Sequence, residues 1–215
     1  MIKNVDKRSK KVPKRSGQRG PREVTEKRLN NVALHYVSRY SATTDSLRKV
    51  LMRRIEASAR AHGTDPKVGA IWIETLIIRF QALGYLNDRA YAANRARSLL
   101  ARGNSTRAVA MKLREKGISV EDIEVAFEAA REDMSDLNLA AAAALARRRR
   151  LGPYRLDVAR EDHRDRDLAA LARAGFSYDV ARRIIEAKTV NILEAIISGE
   201  PENDRAQAHE EGAHE

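Results

Sequence analysis

Cysteine is absent from this 215-residue chain, which excludes a disulfide framework, cysteine-ligated zinc or iron–sulfur centres and a thiol nucleophile. No apolar run approaches the ~18 residues a membrane span needs, and the N-terminal stretch has charges but no apolar signal-peptide core. A soluble, cytoplasmic protein without a membrane partner is the expectation. Aromatic residues make up only 5% of the chain, too few for a typical sheet sandwich. Common enzyme loops are missing too: there is no Gly-x-x-x-x-Gly-Lys, no Gly-x-Gly-x-x-Gly and no Gly-x-Ser-x-Gly. That disfavours an ATPase, a dehydrogenase or a serine hydrolase. His35, His62, His163, His209 and His214 have no metal-ligand spacing, and Glu161-Asp162-His163, being consecutive on a helix, point in different directions. Neither a catalytic residue, nor a metal site, nor a cofactor is expected; the only enzymatic reading left is a metal-dependent nuclease built from scattered acids.

Alanine, leucine, arginine and glutamate are abundant instead, a composition suited to helices. The formal net charge is +11, and it is unevenly spread. Residues 1–22 hold Lys3, Lys7, Arg8, Lys10, Lys11, Lys14, Arg15, Arg19 and Arg22 against Asp6 alone, a local +8. Residues 198–215 carry a local −5, so the body between them keeps a net +8. A basic body predicts proximity to a polyanion. Residues 1–24 lack apolar periodicity and read as a disordered basic tail, either a nucleic-acid-binding arm or a solubilising extension. Residues 199–215 read as a disordered acidic tail.

The body repeats itself. Leu113 to Ser119, Leu-Arg-Glu-Lys-Gly-Ile-Ser, recurs as Leu171 to Ser177, Leu-Ala-Arg-Ala-Gly-Phe-Ser. In both, glycine four residues after leucine ends one helix by taking left-handed backbone angles, and serine caps the next. Gly63, followed by Asp65 and Pro66, is a weaker upstream copy. Between these stops the apolar spacing outlines three helices in each of three units, residues 25–86, 87–133 and 134–198. The first unit has stripes Leu29, Val32, Ala33, Tyr36, Val37 and Tyr40; Leu47, Val50, Leu51, Ile55 and Ala59; and Val68, Ile71, Trp72, Leu76, Phe80 and Leu83. Trp72 falls on the last stripe and reads as a core anchor. In the third unit, Leu137 to Arg150 reads as an alanine-rich helix stopped by Gly152 and Pro153, Leu156 to Ala174 as a second helix, and Tyr178 to Glu186 as a third. Val190 to Ile197 suffices for a further turn or two. The predicted fold is all-α, an elongated tandem array of three-helix repeats with about nine helices, and a monomer.

Two basic groups stand out. Arg147, Arg148, Arg149 and Arg150, joined by Arg155 and by Arg164 and Arg166, form the densest cluster. Four consecutive arginines fan around a helix, so they cannot share one partner, and cations at a helix C-terminus also complement its dipole. Guanidinium groups nonetheless suit phosphate and carboxylate recognition. In the middle unit Arg107, Lys112 and Arg114 are the candidates, with Arg107 and Arg114 spaced to share a face.

Three segments resemble the RecX family, bacterial regulators of the RecA recombinase. Leu83-Gly84-Tyr85-Leu86-Asn87-Asp88-Arg89-Ala90-Tyr91-Ala92 is similar to its Gly-Tyr-Leu-(Asp or Asn)-Asp segment. Leu113-Arg114-Glu115-Lys116-Gly117-Ile118 resembles its Leu-Arg-x-Lys-Gly-Ile segment, and Ala174-Gly175-Phe176-Ser177-Tyr178-Asp179 its C-terminal Gly-Phe-x-Tyr-Asp segment. Order and spacing agree over about residues 28 to 187. The resemblance implies a non-enzymatic modulator that binds along the groove of a RecA filament on single-stranded DNA, inhibiting strand exchange, ATP hydrolysis and the filament-assisted repressor cleavage of the SOS response. It carries no catalytic residues. Both tails and the arginine-rich stretch Arg160 to Asp167 depart from the family pattern. The alternative is a DNA-binding architectural or transcription-regulatory protein acting through its tail and arginine clusters.

Overall fold

The computed structural model describes residues 22–132, 134 and 136–198; the rest of the two charged tails, and the expectation that they are disordered, lie outside the described residues. Val24, at the edge of the stretch read as tail, is buried and donates its N–H to Ser58 Oγ at 2.9 Å. Every α- or 3-10 element among the described residues is helical, with no strand. The helices are α1 (Glu26–Arg39), α2 (Thr44–His62), α3 (Pro66–Ala82), α4 (Asp88–Ala101), α5 (Thr106–Arg114), α6 (Val120–Arg131), α7 (Leu137–Arg149), α8 (Arg160–Arg173), α9 (Tyr178–Ile185) and α10 (Val190–Ser198). Short 3-10 turns at Gly152–Tyr154 and Asp157–Ala159 link α7 to α8. Three triplets are thus followed by α10, the element expected as a final turn or two.

Local chemistry sets the boundaries. Thr25, Thr43, Asp65, Asn87, Ser105, Ser119, Asp136 and Ser177 each accept a backbone N–H of the helix they precede, offsetting orphan donors at about 1 kcal/mol per cap. At the opposite ends of α5 and α8 the chain turns left-handed. Ile118 N–H donates back to Leu113 O at 3.1 Å across Gly117, and Phe176 N–H to Leu171 O at 3.3 Å across Gly175. The apolar residue after each glycine is buried, completing a Schellman end with its hydrophobic contact.

The structure corrects three sequence expectations. Helix α7 stops at Arg150, which takes left-handed angles (φ 56°), whereas the chain after α4, the corresponding helix of the middle unit, turns left-handed at Gly103; Gly152 and Pro153 open the 3-10 turn. Helix α8 begins at Arg160 rather than Leu156, because Leu156 and Val158 lie exposed and offer no core-facing stripe to continue it. On α3, Val68, Ile71 and Leu83 are exposed, Ile71 by 65%, and Gly69, Ile73 and Ile77 are buried with Leu76 and Phe80. That helix is apolar almost all round, so periodicity cannot choose its inward face; Gly69 does. A Cβ there would lie 2.6 Å from Ile55 Cδ1, so the missing side chain lets α2 and α3 close. Trp72 packs partly buried at the edge of the same core.

Two cores result. The first joins Leu29, Leu47, Leu51, Ile55, Ile73 and Phe80 with Leu86, which folds back across the end of α3. The second runs continuously through α4–α10, from Leu99, Val109 and Leu113 to Leu139, Leu145, Leu171, Ile184 and Leu193. Alanines at 141, 142, 143 and 146 of α7 are buried in it, and their small side chains permit close helix approach.

The triplets are connected by the same joint twice. Thr43, the N-cap of α2, donates its hydroxyl to Lys116 O at the end of α5 (2.7 Å), and Thr44 N–H donates to Asp88 Oδ1 at the start of α4 (2.8 Å). One unit further on, Ser105, the N-cap of α5, donates to Ala174 O at the end of α8 (3.0 Å), and Thr106 N–H donates to Asn138 Oδ1 at the start of α7 (3.0 Å). The middle helix of each of the first two units therefore meets the end of the next unit's middle helix, so that α8, α5 and α2 run end to end with N-terminal donors facing C-terminal acceptors. The glycine stops are where this contact passes. A Cβ on Gly117 would sit 2.2 Å from Asp45 Cβ and one on Gly175 2.7 Å from Ser105 Oγ, whereas one on Gly63, at the outer end of the array, meets nothing within 4 Å. At the other outer end the N-cap position of α8 is Ala159, with no hydroxyl to offer.

Candidate nucleic-acid and partner interface

The arginines Arg147 to Arg150 fall in the last turn of α7 and its left-handed cap, all exposed. They separate into different surroundings. Arg148 Nη1 donates to Arg102 O at 2.7 Å, tying the end of α7 to the end of α4. Arg147 lies near Tyr154, whose hydroxyl is pushed above its usual pKa mainly by burial. Arg149 faces α8. Arg155 is held by Asp167, which is only 2% exposed: Asp167 Oδ1 accepts from Arg155 Nη2 at 2.8 Å, and its Oδ2 accepts from Arg155 Nε at 3.3 Å and from Gly152 N–H at 3.0 Å. This buried carboxylate was invisible in the sequence as a site residue; the clue was its place four residues before Leu171 on the inward stripe of α8.

Arg149, Leu151, Arg155, His163, Arg166, Asp167, Ala170 and Arg173 together line an open cleft of about 390 Å³. Residues 163, 166, 167, 170 and 173 share one face of α8. Arg164 is elsewhere, hydrogen-bonded to Glu186, which raises its pKa.

Arg107 and Arg114 do share a face. They line a second groove of about 550 Å³ with Thr106, Ala110, Phe127, Arg131, Asp136, Leu137 and Asn138. Thr106 and Asn138 belong to the joint between the middle and last units, so the joint itself builds this groove. Arg131 is paired with Glu128, whereas Arg107 and Arg114 make no ion pair among the described residues. Lys112 stands apart, its Nζ donating to Asn104 Oδ1 at 2.6 Å. The joint between the first two units has its own groove of about 370 Å³, faced by Tyr40, Tyr85, Tyr91, Asn87, Asn94 and Arg39. Sequence reasoning passed over it as a site, although the Gly84-Tyr85-Leu86-Asn87 segment is at its rim.

Among the described residues no group of three or more His, Asp or Glu is placed to hold a metal ion, and no helix is long and apolar enough to cross a membrane. What the arrangement offers is a row of basic and aromatic grooves at the joints and on the last unit, suited to phosphate or carboxylate groups and to a protein surface.

The comparisons agree with this architecture. A family model described as "RecX, second three-helix domain" matches residues 87–126, the α4–α6 region. The chain is 43% identical over 183 residues to the "Regulatory protein RecX" of Myxococcus xanthus (strain DK1622), covering 85% of this chain and 94% of the relative. It is 30% identical over 171 residues to the protein of the same description from Agrobacterium fabrum (strain C58 / ATCC 33970), covering 80% of this chain and 88% of that one. No solved structure matches. With its glycine-stopped helix triplets and its similarity to these relatives over most of their length, the chain belongs to the RecX family.

Proposed function

We propose that this protein is a regulatory protein that modulates, chiefly by inhibition, a RecA recombinase. Its three units, residues 25–86, 87–133 and 134–198, lie along the groove of the recombinase filament on single-stranded DNA and restrain strand exchange, ATP hydrolysis and filament-assisted repressor cleavage. The observation that carries the reading is the repeated joint. Two equivalent hydrogen-bond pairs, Thr43/Thr44 to Lys116/Asp88 and Ser105/Thr106 to Ala174/Asn138, set successive units in one direction. Such an array meets a polymer of repeated subunits at several points, and linked contacts multiply affinity without any single strong one. The basic body and the Arg107–Arg114 groove supply the complementary charge. No step requires a catalytic residue or a cofactor: the protein acts by occupying the groove and restraining subunit movement. Pull-down of the recombinase with and without single-stranded DNA tests the reading, with strong retention on DNA-bound filament expected and no retention in either condition overturning it.

A second reading, direct DNA binding as an architectural or transcription-regulatory protein, is favoured by the unpaired arginines around the α7–α8 cleft and by the basic residues 1–22. It predicts salt-sensitive DNA binding without recombinase. Deleting residues 1–22 separates the two, since filament regulation survives the deletion and tail-driven DNA binding collapses.

A further inference from the structure

The α7–α8 cleft gathers four arginines around one buried carboxylate, and one face of it is already organised. Asp167 is buried and its oxygens are taken by Arg155 and by the Gly152 N–H. Its charge is therefore spent on fixing the Arg155 fork rather than on neutralising the cleft. Three more guanidinium groups, those of Arg149, Arg166 and Arg173, line the same space and make no ion pair or hydrogen bond among the described residues. Like charges gathered this way repel one another unless a counter-charge joins them. His163 lines the cleft as well: its Nδ1 is buried and closed to a ligand, which leaves Nε2 as the ring nitrogen that the cleft can reach. A tetrahedral oxyanion supplies the counter-charge, accepting charge-assisted hydrogen bonds from several planar guanidinium forks and one from the imidazole Nε2–H.

We propose that this cleft is a phosphate-binding site in which Arg149, Arg166 and Arg173 contact the phosphate oxygens, His163 donates a further hydrogen bond, and the Asp167–Arg155 pair holds the wall in position. The shared chemistry is a phosphate group, supplied either by the backbone of a nucleic-acid strand or by a free phosphate. Where a strand supplies the phosphate the proposal rests on the direct-DNA reading above; it is independent of recombinase regulation, because it concerns the chain alone.

The test is proton–nitrogen NMR of the histidine ring resonances in the full chain. It is titrated with inorganic phosphate in one arm and with a thymidine oligonucleotide lacking terminal phosphates in the other. A saturable shift of the His163 resonances is expected. Saturation by the oligonucleotide at lower phosphate-group concentration assigns the site to a strand; saturation by inorganic phosphate alone assigns it to free phosphate. Replacing the exposed side chains together, Arg166→Ala with Arg173→Ala, weakens the saturating ligand by at least about tenfold, the loss of one charge-assisted hydrogen bond or more. His163 resonances that move with neither probe, or a double variant with wild-type affinity and an intact helical spectrum, overturn the proposal.

Discussion

The hydroxyl of Thr43 donates to the carbonyl of Lys116 at 2.7 Å across 73 residues of sequence, and Ser105 makes the equivalent bond to Ala174 across 69. Both donors also cap the helix they begin, each accepting the N–H three residues on. One side chain thus starts a helix and attaches a unit. Replacing Thr43 by Val, which keeps the shape but loses the hydroxyl, removes the cap and deprives the part-buried Lys116 carbonyl of its donor, costing about 2 kcal/mol. Thr43→Ser keeps both bonds and costs well under half of that. Urea unfolding of the two variants checks the difference, and hydrogen exchange should speed up across α1–α3, whose core is separate from the rest.

The caps and stops were legible because they rest on bonds spanning three to six residues: serine before an acidic first turn and glycine after the last leucine have one economical explanation. The joints were not, because Thr43 and Ser105 look like any other cap and their acceptors are far along the chain. The inward face of α3 was equally hidden. Its stripe is apolar on both sides, and the choice was made by Gly69 against Ile55, a contact between helices. Arg107 and Arg114 were placed together correctly from spacing alone, while the groove they line needed α7 from the next unit. Asp167 read as one more charge in an Arg-Asp-Arg-Asp run until the turn before α8 folded over it.

The three related glycines differ in what surrounds them, and alanine substitution separates conformational strain from crowding. Gly63→Ala meets open space and suffers only its left-handed backbone (φ 74°), about 1 kcal/mol. Gly117→Ala carries the same strain (φ 76°) and drives its Cβ against Asp45, adding an overpacking cost of about 1–3 kcal/mol. Thermal unfolding should rank Gly117→Ala clearly below Gly63→Ala; equal midpoints would show that the joint yields freely.

Asp167 anchors the last unit. Asp167→Ala strands the Arg155 guanidinium and the Gly152 N–H in a largely buried place, a loss of about 3 kcal/mol. Replacing Arg155 with Met, which fills space without charge, leaves the carboxylate uncompensated and should cost nearly as much. Combining Arg155→Met with Asp167→Leu should recover part of the loss, measured as a coupling energy in a double-mutant cycle.

On α2 and α3, Arg48 and Glu74 form a two-bond fork at 2.7 and 2.9 Å. The hydrogen bond to Arg48 holds the Glu74 pKa below its ordinary value, against a smaller opposing effect of burial. A depressed carboxyl stabilises the fold above its unfolded pKa, and that contribution is lost as pH falls through the folded value. Both side chains are substantially exposed, 37% and 52%, so screening limits the contribution to about 0.5 kcal/mol. Glu74→Gln should therefore be slightly less stable than wild type near neutrality and indistinguishable from it in acid below the carboxylate range.

The most direct measurement of the central claim is the single-stranded-DNA-dependent ATP turnover of a RecA recombinase as this protein is added. Turnover is expected to fall with fewer than one molecule per recombinase subunit, and Thr43→Val, by loosening the joint, to shift the response to higher concentration. Turnover, filament length and strand exchange that stay unchanged at full occupancy would contradict that claim.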